Sequence, residues 1–127
     1  MAECVLDASA VLAVLRGEPG GEQVRDRLAQ AVISAANYAE VVSKLIDYGA
    51  AGDLAIRAAG ELGLFVAPLD EPTATRAGAL REVTRPRGLS LGDRACLALA
   101  EMLALPVLTA DHAWADLDLG VEVVLIR

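Results

Sequence analysis

The sequence predicts an α/β domain of three layers, in which helices cover both faces of a central, mainly parallel sheet. Short apolar runs of strand-like residues alternate with longer segments rich in Ala and Leu, which favour helices. Strands that are apolar at every position are typical of parallel sheets buried on both faces. The chain has 127 residues, 55% of them hydrophobic, so residues 1–127 are expected to form one domain with a substantial core.

The first 30 residues predict one strand and two helices. Cys4–Leu6 is a short apolar run that ends at the polar Asp7, as expected of a buried strand. Ala8–Arg16 is rich in Ala, Leu and Val and is followed by a glycine, which predicts a helix with a glycine stop. After a Pro-Gly-Gly turn, Glu22–Gln30 predicts a second helix.

Residues 31–84 predict two strands and three helices. Ala31–Ile33 and Leu64–Val66 are the apolar runs expected to form strands. A serine that can cap a helix precedes Ala35–Tyr48, and glycines follow both this segment and Ala51–Leu62, so both are expected to be helical. A further helix is expected from Asp70 to about Thr84, because proline and glycine residues interrupt the chain just beyond it.

The last 38 residues predict a helix, a strand, a short helix or turn, and a final strand. Ser90 is a capping residue for a helix over Leu91–Leu103, and a proline then precedes the strand Val107–Thr109. Asp111–Leu117 is expected to be a short helix or turn. Val121–Ile126 is the last apolar run and is expected to complete the sheet.

Charge and residue inventory exclude several classes of function. The net charge is −7 and the isoelectric point is about 4.6, which is not the basic surface typical of nucleic-acid-binding proteins. Aromatic residues make up only 3%, which argues against stacking platforms for single-stranded nucleic acid. His112 is the only histidine, which excludes a His-rich zinc site, and Lys44 is the only lysine, which argues against lysine catalysis.

The cysteines and the N-terminal segment predict a cytoplasmic protein. Cys4 and Cys96 lie far apart in apolar runs and are expected to be buried free thiols. The first ten residues have no basic region and already contain two acidic residues, so they do not resemble a signal peptide. No apolar run reaches 18 residues without a charge, so no membrane span is expected.

Four acidic residues are expected to meet at one edge of the sheet. Asp7 directly follows the first strand, and Asp111 lies two residues after the fourth. Asp93 lies in the first turn of its helix, and Glu40 lies in the second turn of the helix after strand two. In a parallel α/β sheet these positions share the carboxyl edge, where sites usually form.

Each acid also has a purely structural interpretation. Asp7 and Asp111 can cap helices, and Ser90-x-x-Asp93 resembles a capping box. Glu40 falls on the polar side of its helix, where a solvated glutamate is expected. Together, however, four converging carboxylates repel one another and need a cation, and oxygen ligands without histidine favour Mg²⁺ or Mn²⁺. Such ions support phosphodiester hydrolysis by a metal-activated water.

The acids and their neighbours resemble those of the PIN domain, most closely the VapC-type ribonuclease toxins of type II toxin–antitoxin systems. The segments that carry the resemblance are VLDASAVLAVLRGEPG, LSLGDRACLALA and VLTADHAWADL. The resemblance covers essentially the whole chain. It implies a PIN-like three-layer α/β/α domain and an endoribonuclease that depends on Mg²⁺ or Mn²⁺.

The resemblance also implies roles for individual residues. Asp7, Asp93 and Asp111 match the positions of metal ligands, and Glu40 matches the acid that orients water or acts as a general base. Because members of the family vary near the last acid, Asp116 is a second candidate for the fourth position. Two hydroxyl residues, Ser9 and Thr109, match positions near the acids, where they either hold water or make capping and turn hydrogen bonds.

Partners follow from the same resemblance. It implies an RNA substrate, such as transfer or ribosomal RNA, a cognate antitoxin protein and a homodimer. The apolar residues Val11, Leu12, Val14 and Leu15 predict a buried helix, and the resemblance adds a groove that receives an antitoxin helix. Arg85-Pro86-Arg87-Gly88 is the loop best suited to contact RNA phosphates.

Two other classes of protein fit the same fold. A phospho-acceptor signalling domain would need paired acids after the first strand and a lysine at a late strand end, and the chain has neither. A non-catalytic α/β scaffold, whose acids only cap helices, is the second alternative. A scaffold would not be stabilised by Mn²⁺, whereas a metal site present only in the native state would be.

Overall fold

The computed structural model describes all residues 1–127 and contains one five-stranded sheet in which every neighbouring pair is parallel. The strand order is β3-β2-β1-β4-β5, so the first strand is central. The strands are β1 Cys4–Leu6, β2 Ala31–Ser34, β3 Phe65–Ala67, β4 Val107–Thr109 and β5 Val123–Leu125. This architecture confirms the predicted PIN-like three-layer α/β/α class.

Seven α-helices connect or flank the strands. They are α1 Ala8–Arg16, α2 Gly21–Arg25, α3 Ala35–Asp47, α4 Gly52–Glu61, α5 Glu71–Ala79, α6 Arg81–Thr84 and α7 Leu91–Leu103. Short 3-10 helices span Leu28–Gln30, Arg85–Arg87 and His112–Trp114. No helix is both long and apolar enough to cross a membrane.

The core has two halves, one on each face of the sheet. Leu6, Ile33 and Leu108 belong to the half that packs against α1 and α3. Val5 and Val32, which directly precede Leu6 and Ile33 along their strands, belong to the half that packs against α7. This alternation follows from the pleat, which sends successive side chains to opposite faces. The two cysteines are buried free thiols, as the sequence predicts.

Two predicted helices are interrupted. Within 22–30, helix α2 ends at Arg25 and a 3-10 turn follows, because Val24 is the only large side chain there that is fully buried. Between 70 and 84, the helix bends at Leu80, and both Leu80 and Thr84 are buried. The Thr84 hydroxyl donates to the Leu80 carbonyl at 2.8 Å within this bend.

The remaining differences lie at the ends of elements. β3 is shifted by one residue from the predicted Leu64–Val66 and lies at the edge of the sheet, where Phe65 is 68% exposed. The apolar residues of β3 are therefore not buried on both faces of the sheet, contrary to what the sequence pattern predicts. The last strand is shorter than the predicted Val121–Ile126. The short helix or turn predicted after Asp111 is a 3-10 turn over His112–Trp114.

The strand register places three chain segments at the same end of the sheet. Leu6 lies beside Ile33 on one side and beside Leu108 on the other. The residues that directly follow, Asp7, Ser34 and Thr109, therefore meet at the carboxyl edge. The N-termini of α1 and α3 begin at this edge.

Candidate functional site

Asp7 holds a carboxylate that is only 4% exposed at the centre of the carboxyl edge. It caps α1, because its Oδ1 accepts the Ala10 N–H at 2.9 Å. The Ser9 hydroxyl donates to the same oxygen at 2.7 Å, and the Thr109 hydroxyl donates to Oδ2 at 2.5 Å. Three donors from α1 and β4 therefore fix this carboxylate in one orientation.

Burial raises the pKa of Asp7 from its ordinary value of 3.8 to about 6. Removal from water is the largest cause, since it penalises the charged form. The hydrogen bonds from Thr109, Ser9 and Ala10 lower the pKa, but by less, and the negative charge of Asp93 raises it further. The charged carboxylate of Asp7 is therefore destabilised in the folded protein.

Asn37 connects α3 to the start of α7. Its side chain is 1% exposed, and its Nδ2 donates to Glu40 Oε1 at 3.0 Å and to the Gly92 carbonyl at 3.1 Å. Both acceptors fix the orientation of the amide, because an exchange of its oxygen and nitrogen would place oxygen against oxygen. The buried Oδ1 of Asn37 has no hydrogen-bond partner.

Glu40 is half-buried and lies against the backbone of α7. A Cβ atom at Gly92 would collide with Glu40 Oε1, so a side chain at this position would occupy the space of the carboxylate. Burial raises the pKa of Glu40, and the charge of Asp93 adds to this effect. The prediction that Glu40 is a solvated surface glutamate is therefore wrong: Asn37 and Gly92 hold it in the site.

Asp93 closes a capping box at the start of α7. The Ser90 N–H donates to Asp93 Oδ2 at 2.9 Å, and the Asp93 N–H donates to the Ser90 hydroxyl at 3.1 Å. Oδ1 of Asp93 accepts no hydrogen bond from the protein. The capping interpretation is thus confirmed, and it leaves one carboxylate oxygen available to the cleft.

Asp111 is placed by the hydroxyls beside Asp7. Its N–H donates to Thr109 Oγ1 at 3.0 Å, and the Ala110 N–H donates to Ser9 Oγ at 2.9 Å. Its own Oδ1 accepts the Ala113 N–H at 2.9 Å and caps the 3-10 turn. Ser9 and Thr109 therefore connect β4 to Asp7 and position the chain that carries Asp111.

A cleft of about 230 Å³ lies at this edge and brings the four predicted acids together. Asp116 is exposed and does not line the cleft. Thr109 does not line it either and contributes through its hydrogen bonds to Asp7 and to the Asp111 N–H. The residues that line the cleft are Asp7, Ala8, Ser9, Leu12, Asn37, Glu40, Lys44, Tyr48, Asp93 and Asp111.

The carboxylates face one cleft without forming a closed set of ligands. No group of three or more His, Cys, Asp or Glu side chains is close enough to hold a metal ion directly. The negative charge of Asp93 nevertheless contributes to the raised pKa of both Asp7 and Glu40. The site therefore concentrates negative charge from three separate segments of the chain.

Four residues of the site were not predicted from the sequence: Asn37, Lys44, Tyr48 and Gly92. Asn37 precedes Glu40 by three residues and Lys44 follows it by four, so helical spacing could have placed all three on one face of α3. Tyr48 continues the same spacing. Gly92 is adjacent to Asp93, but its contact with Glu40 depends on how α3 packs on α7 and has no local signal.

The chain belongs to the PIN domain family, whose pattern matches residues 4–119. The resemblance noted in the sequence is therefore confirmed. No protein with curated functional information matches the chain in sequence.

Solved structures with the same fold include toxin–antitoxin complexes. The chain is 22% identical to one from Klebsiella pneumoniae with a TM-score of 0.76, over 98% of both chains. DNA-bound VapBC from Salmonella typhimurium gives a TM-score of 0.77 at 16% identity over the whole of both chains. A member of the VapBC family from Mycobacterium tuberculosis is 25% identical, with a TM-score of 0.65 over 100% of this chain and 99% of that chain.

The buried charge of Asp7 predicts that Asp7→Asn stabilises the metal-free protein at neutral pH. The pKa of Asp7 is about 6 in the folded protein and 3.8 ordinarily. The contribution of protonated Asp7 to folding stability is therefore fully present below pH 3.8 and is lost as the pH rises through about 6. Asn keeps the oxygen that caps α1. In urea unfolding with EDTA, the variant should gain roughly 2 to 3 kcal/mol over the wild type at pH 7.5 and nothing at pH 3.5.

Asp70 provides the control for this prediction. It caps α5 as Asp7 caps α1, but it is exposed, and hydrogen bonds from Thr73 lower its pKa. Asp70→Asn should therefore give no gain in stability at pH 7.5. A wild type that is more stable than Asp7→Asn at pH 7.5 would contradict the prediction and show that the hydrogen bonds donated to the carboxylate outweigh the cost of burying its charge.

Proposed function

We propose that the protein is a metal-dependent endoribonuclease and the toxin of a toxin–antitoxin pair. The observation that carries this proposal is that Asp7, Glu40, Asp93 and Asp111, which are distant in sequence, line one cleft at the carboxyl edge of a PIN fold. A site that serves only to cap helices has no need to face Asp7, Glu40 and Asp93 toward one another.

The donor set fits a hydrated Mg²⁺ or Mn²⁺ ion. Asp93, Glu40 and Asp111 each have one carboxylate oxygen that accepts no hydrogen bond from the protein. Mg²⁺ retains several of its waters and is usually bound through one or two carboxylates together with substrate phosphates. It therefore does not require three carboxylates in direct contact with one another.

A bound divalent ion would supply Lewis-acid chemistry at the phosphate and lower the pKa of water. Asp7 and Asp93 would hold it, and Asp111 would complete the ligand set. Asp111 is preferred to Asp116 because only Asp111 lines the cleft. Ser9 and Thr109 would fix the orientation of Asp7 through their hydrogen bonds.

Glu40 is the proposed general base. Its raised pKa strengthens it as a proton acceptor, and Asn37 fixes the oxygen Oε1. Glu40 would take the proton from the water that attacks phosphorus, and no covalent intermediate with the protein is required.

The proposed partners are RNA, an antitoxin and a second copy of the chain. The antitoxin is supported by the solved toxin–antitoxin complexes that share the fold. Val11, Leu12 and Val14 are buried in the protein's own core, so an antitoxin would have to dock on other residues than these. An RNA substrate, such as transfer or ribosomal RNA, and an antitoxin partner would place the protein in the cytoplasm.

Cleavage of a labelled pool of transfer and ribosomal RNA tests the proposed function. The wild type should produce discrete fragments with Mg²⁺ or Mn²⁺ and none with EDTA. Asp93→Asn should abolish these fragments, because it removes the negative charge that would bind the metal ion. The fold should be preserved, because Asn keeps an oxygen for the capping box. Asp70→Asn removes a capping carboxylate outside the cleft and should cleave like the wild type.

The outcome separates the nuclease from the non-catalytic scaffold. Full cleavage by both Asp7→Asn and Asp93→Asn would rule out the proposed metal site. Absence of metal-dependent fragments from the wild type, freed of any bound antitoxin, would favour the scaffold.

The contact between Gly92 and Glu40 predicts that Gly92→Ala impairs cleavage without unfolding the protein. The new methyl group would displace the end of the flexible Glu40 side chain rather than backbone, so the cost in stability is small. Moving the general base by about 1 Å can lower kcat by roughly 100-fold. The variant should therefore unfold at the wild-type temperature but cleave RNA about 10- to 100-fold more slowly.

Gly78→Ala is the matched control, since Gly78 lies in helix α5 with open space where the methyl group of an alanine would lie. It should cleave at the wild-type rate and be slightly more stable, because Ala favours a helix over Gly. Wild-type cleavage by Gly92→Ala would show that the position of Glu40 does not limit the reaction.

A further inference from the structure

Lys44 is the only cationic residue that lines the acidic cleft, and it is also the only lysine of the chain. It lies on α3, four residues after Glu40, with its side chain exposed. It forms no ion pair within 4.0 Å, since the ion pairs of the protein are Arg16–Glu18, Arg127–Glu18 and Arg76–Glu101. Its ammonium group is therefore available to an anion in the cleft.

Tyr48 lies one helical turn beyond Lys44 and also lines the cleft. The chain has only four aromatic residues, and the side chain of this one is 53% exposed. The guanidinium of Arg16 lies 3.6 Å from the centroid of its ring, and Arg16 is itself held by Glu18 at 3.0 Å. This contact restrains the ring from one of its faces.

Glu40, Lys44 and Tyr48 form a row along one face of α3. Residues four apart on a helix lie on the same side, and the rise of about 1.5 Å per residue separates them by roughly 6 Å. The row runs from the acidic residues along α3 to the exposed ring of Tyr48. It therefore presents, in order, a carboxylate, an ammonium and an aromatic ring.

The negative charge of the protein would repel a nucleic acid, and the ammonium group of Lys44 in this row offsets part of that repulsion. The protein carries a net charge of −7, and the cleft contains four carboxylates, so any phosphate beyond the metal site meets repulsion. The loop 85–88, which the sequence suggests for contacts with RNA phosphates, does not line the cleft, and its Arg87 donates to the Ala113 carbonyl.

We propose that Lys44 and Tyr48 form a nucleotide subsite, in which Lys44 binds the phosphate next to the scissile one and Tyr48 stacks on the attached base. This inference rests on the proposed ribonuclease function and specifies its substrate. A base can stack on Tyr48 only if it is unpaired, so the subsite selects RNA that is single-stranded beside the cleavage position.

Fluorescence anisotropy of a labelled eight-nucleotide single-stranded RNA tests the subsite, with Ca²⁺ in place of Mg²⁺ to allow binding while limiting cleavage. Lys44→Met should weaken binding about three- to tenfold at 0.1 M salt and reduce the slope of log affinity against log salt by about 0.7. Lys44→Arg should restore most of the binding. Tyr48→Leu should weaken binding about fivefold or more, whereas Tyr48→Phe should bind like the wild type.

Arg81→Met is the matched control, because Arg81 is exposed on α6 and does not line the cleft. It should bind RNA with wild-type affinity. In cleavage assays, Lys44→Met and Tyr48→Leu should raise KM more than they lower kcat. A duplex of the same sequence should bind the wild type more weakly than the single strand does.

The outcomes separate this inference from the function on which it rests. A wild type that binds and cleaves RNA, with Lys44→Met and Tyr48→Leu indistinguishable from it, would overturn the subsite and leave the ribonuclease intact. Equal losses from Lys44→Met and Arg81→Met would show a non-specific charge effect and also overturn the subsite. A wild type that neither binds nor cleaves RNA would overturn both proposals.

Discussion

The structure of the site depends on the buried carboxylate of Asp7. It lies where the central strand β1 ends and α1 begins, and its two oxygens accept hydrogen bonds from Ser9, Ala10 and Thr109. These bonds join α1 to the end of β4 and thereby set the position of Asp111. The same burial raises the pKa of Asp7 to about 6, so the interaction that organises the edge also destabilises its charged form.

Structural and chemical roles coincide in the acidic residues of this cleft. Asp7 and Asp111 accept backbone N–H groups at the start of helical segments, and Asp93 closes a capping box. Capping fixes each carboxylate without occupying all of its hydrogen-bonding capacity, and for Asp93 and Asp111 one oxygen stays free. The capping and the metal-binding interpretations are therefore compatible, and helix capping provides the rigidity that a binding site needs.

The fold and the acidic residues could be predicted because both have local signals. Apolar runs such as Cys4–Leu6 marked the strands, and the order of the strands and helices placed the acids at one edge. The bend at Leu80 and the position of β3 could not be read locally, since they depend on packing and on which strand lies at the edge of the sheet. The environment of Glu40 was missed for the same reason, because Gly92 meets it only after α3 packs against α7.

The central claim is that a divalent cation offsets the repulsion among these carboxylates. Thermal unfolding of the wild type and of Asp93→Asn during titration with Mn²⁺, without RNA, tests this claim most directly. We expect that Tm of the wild type rises with Mn²⁺ concentration, as for any ligand that binds the folded state, while Tm of Asp93→Asn hardly changes. A wild-type Tm that does not respond to Mn²⁺, or an equal rise in both proteins, would contradict the claim.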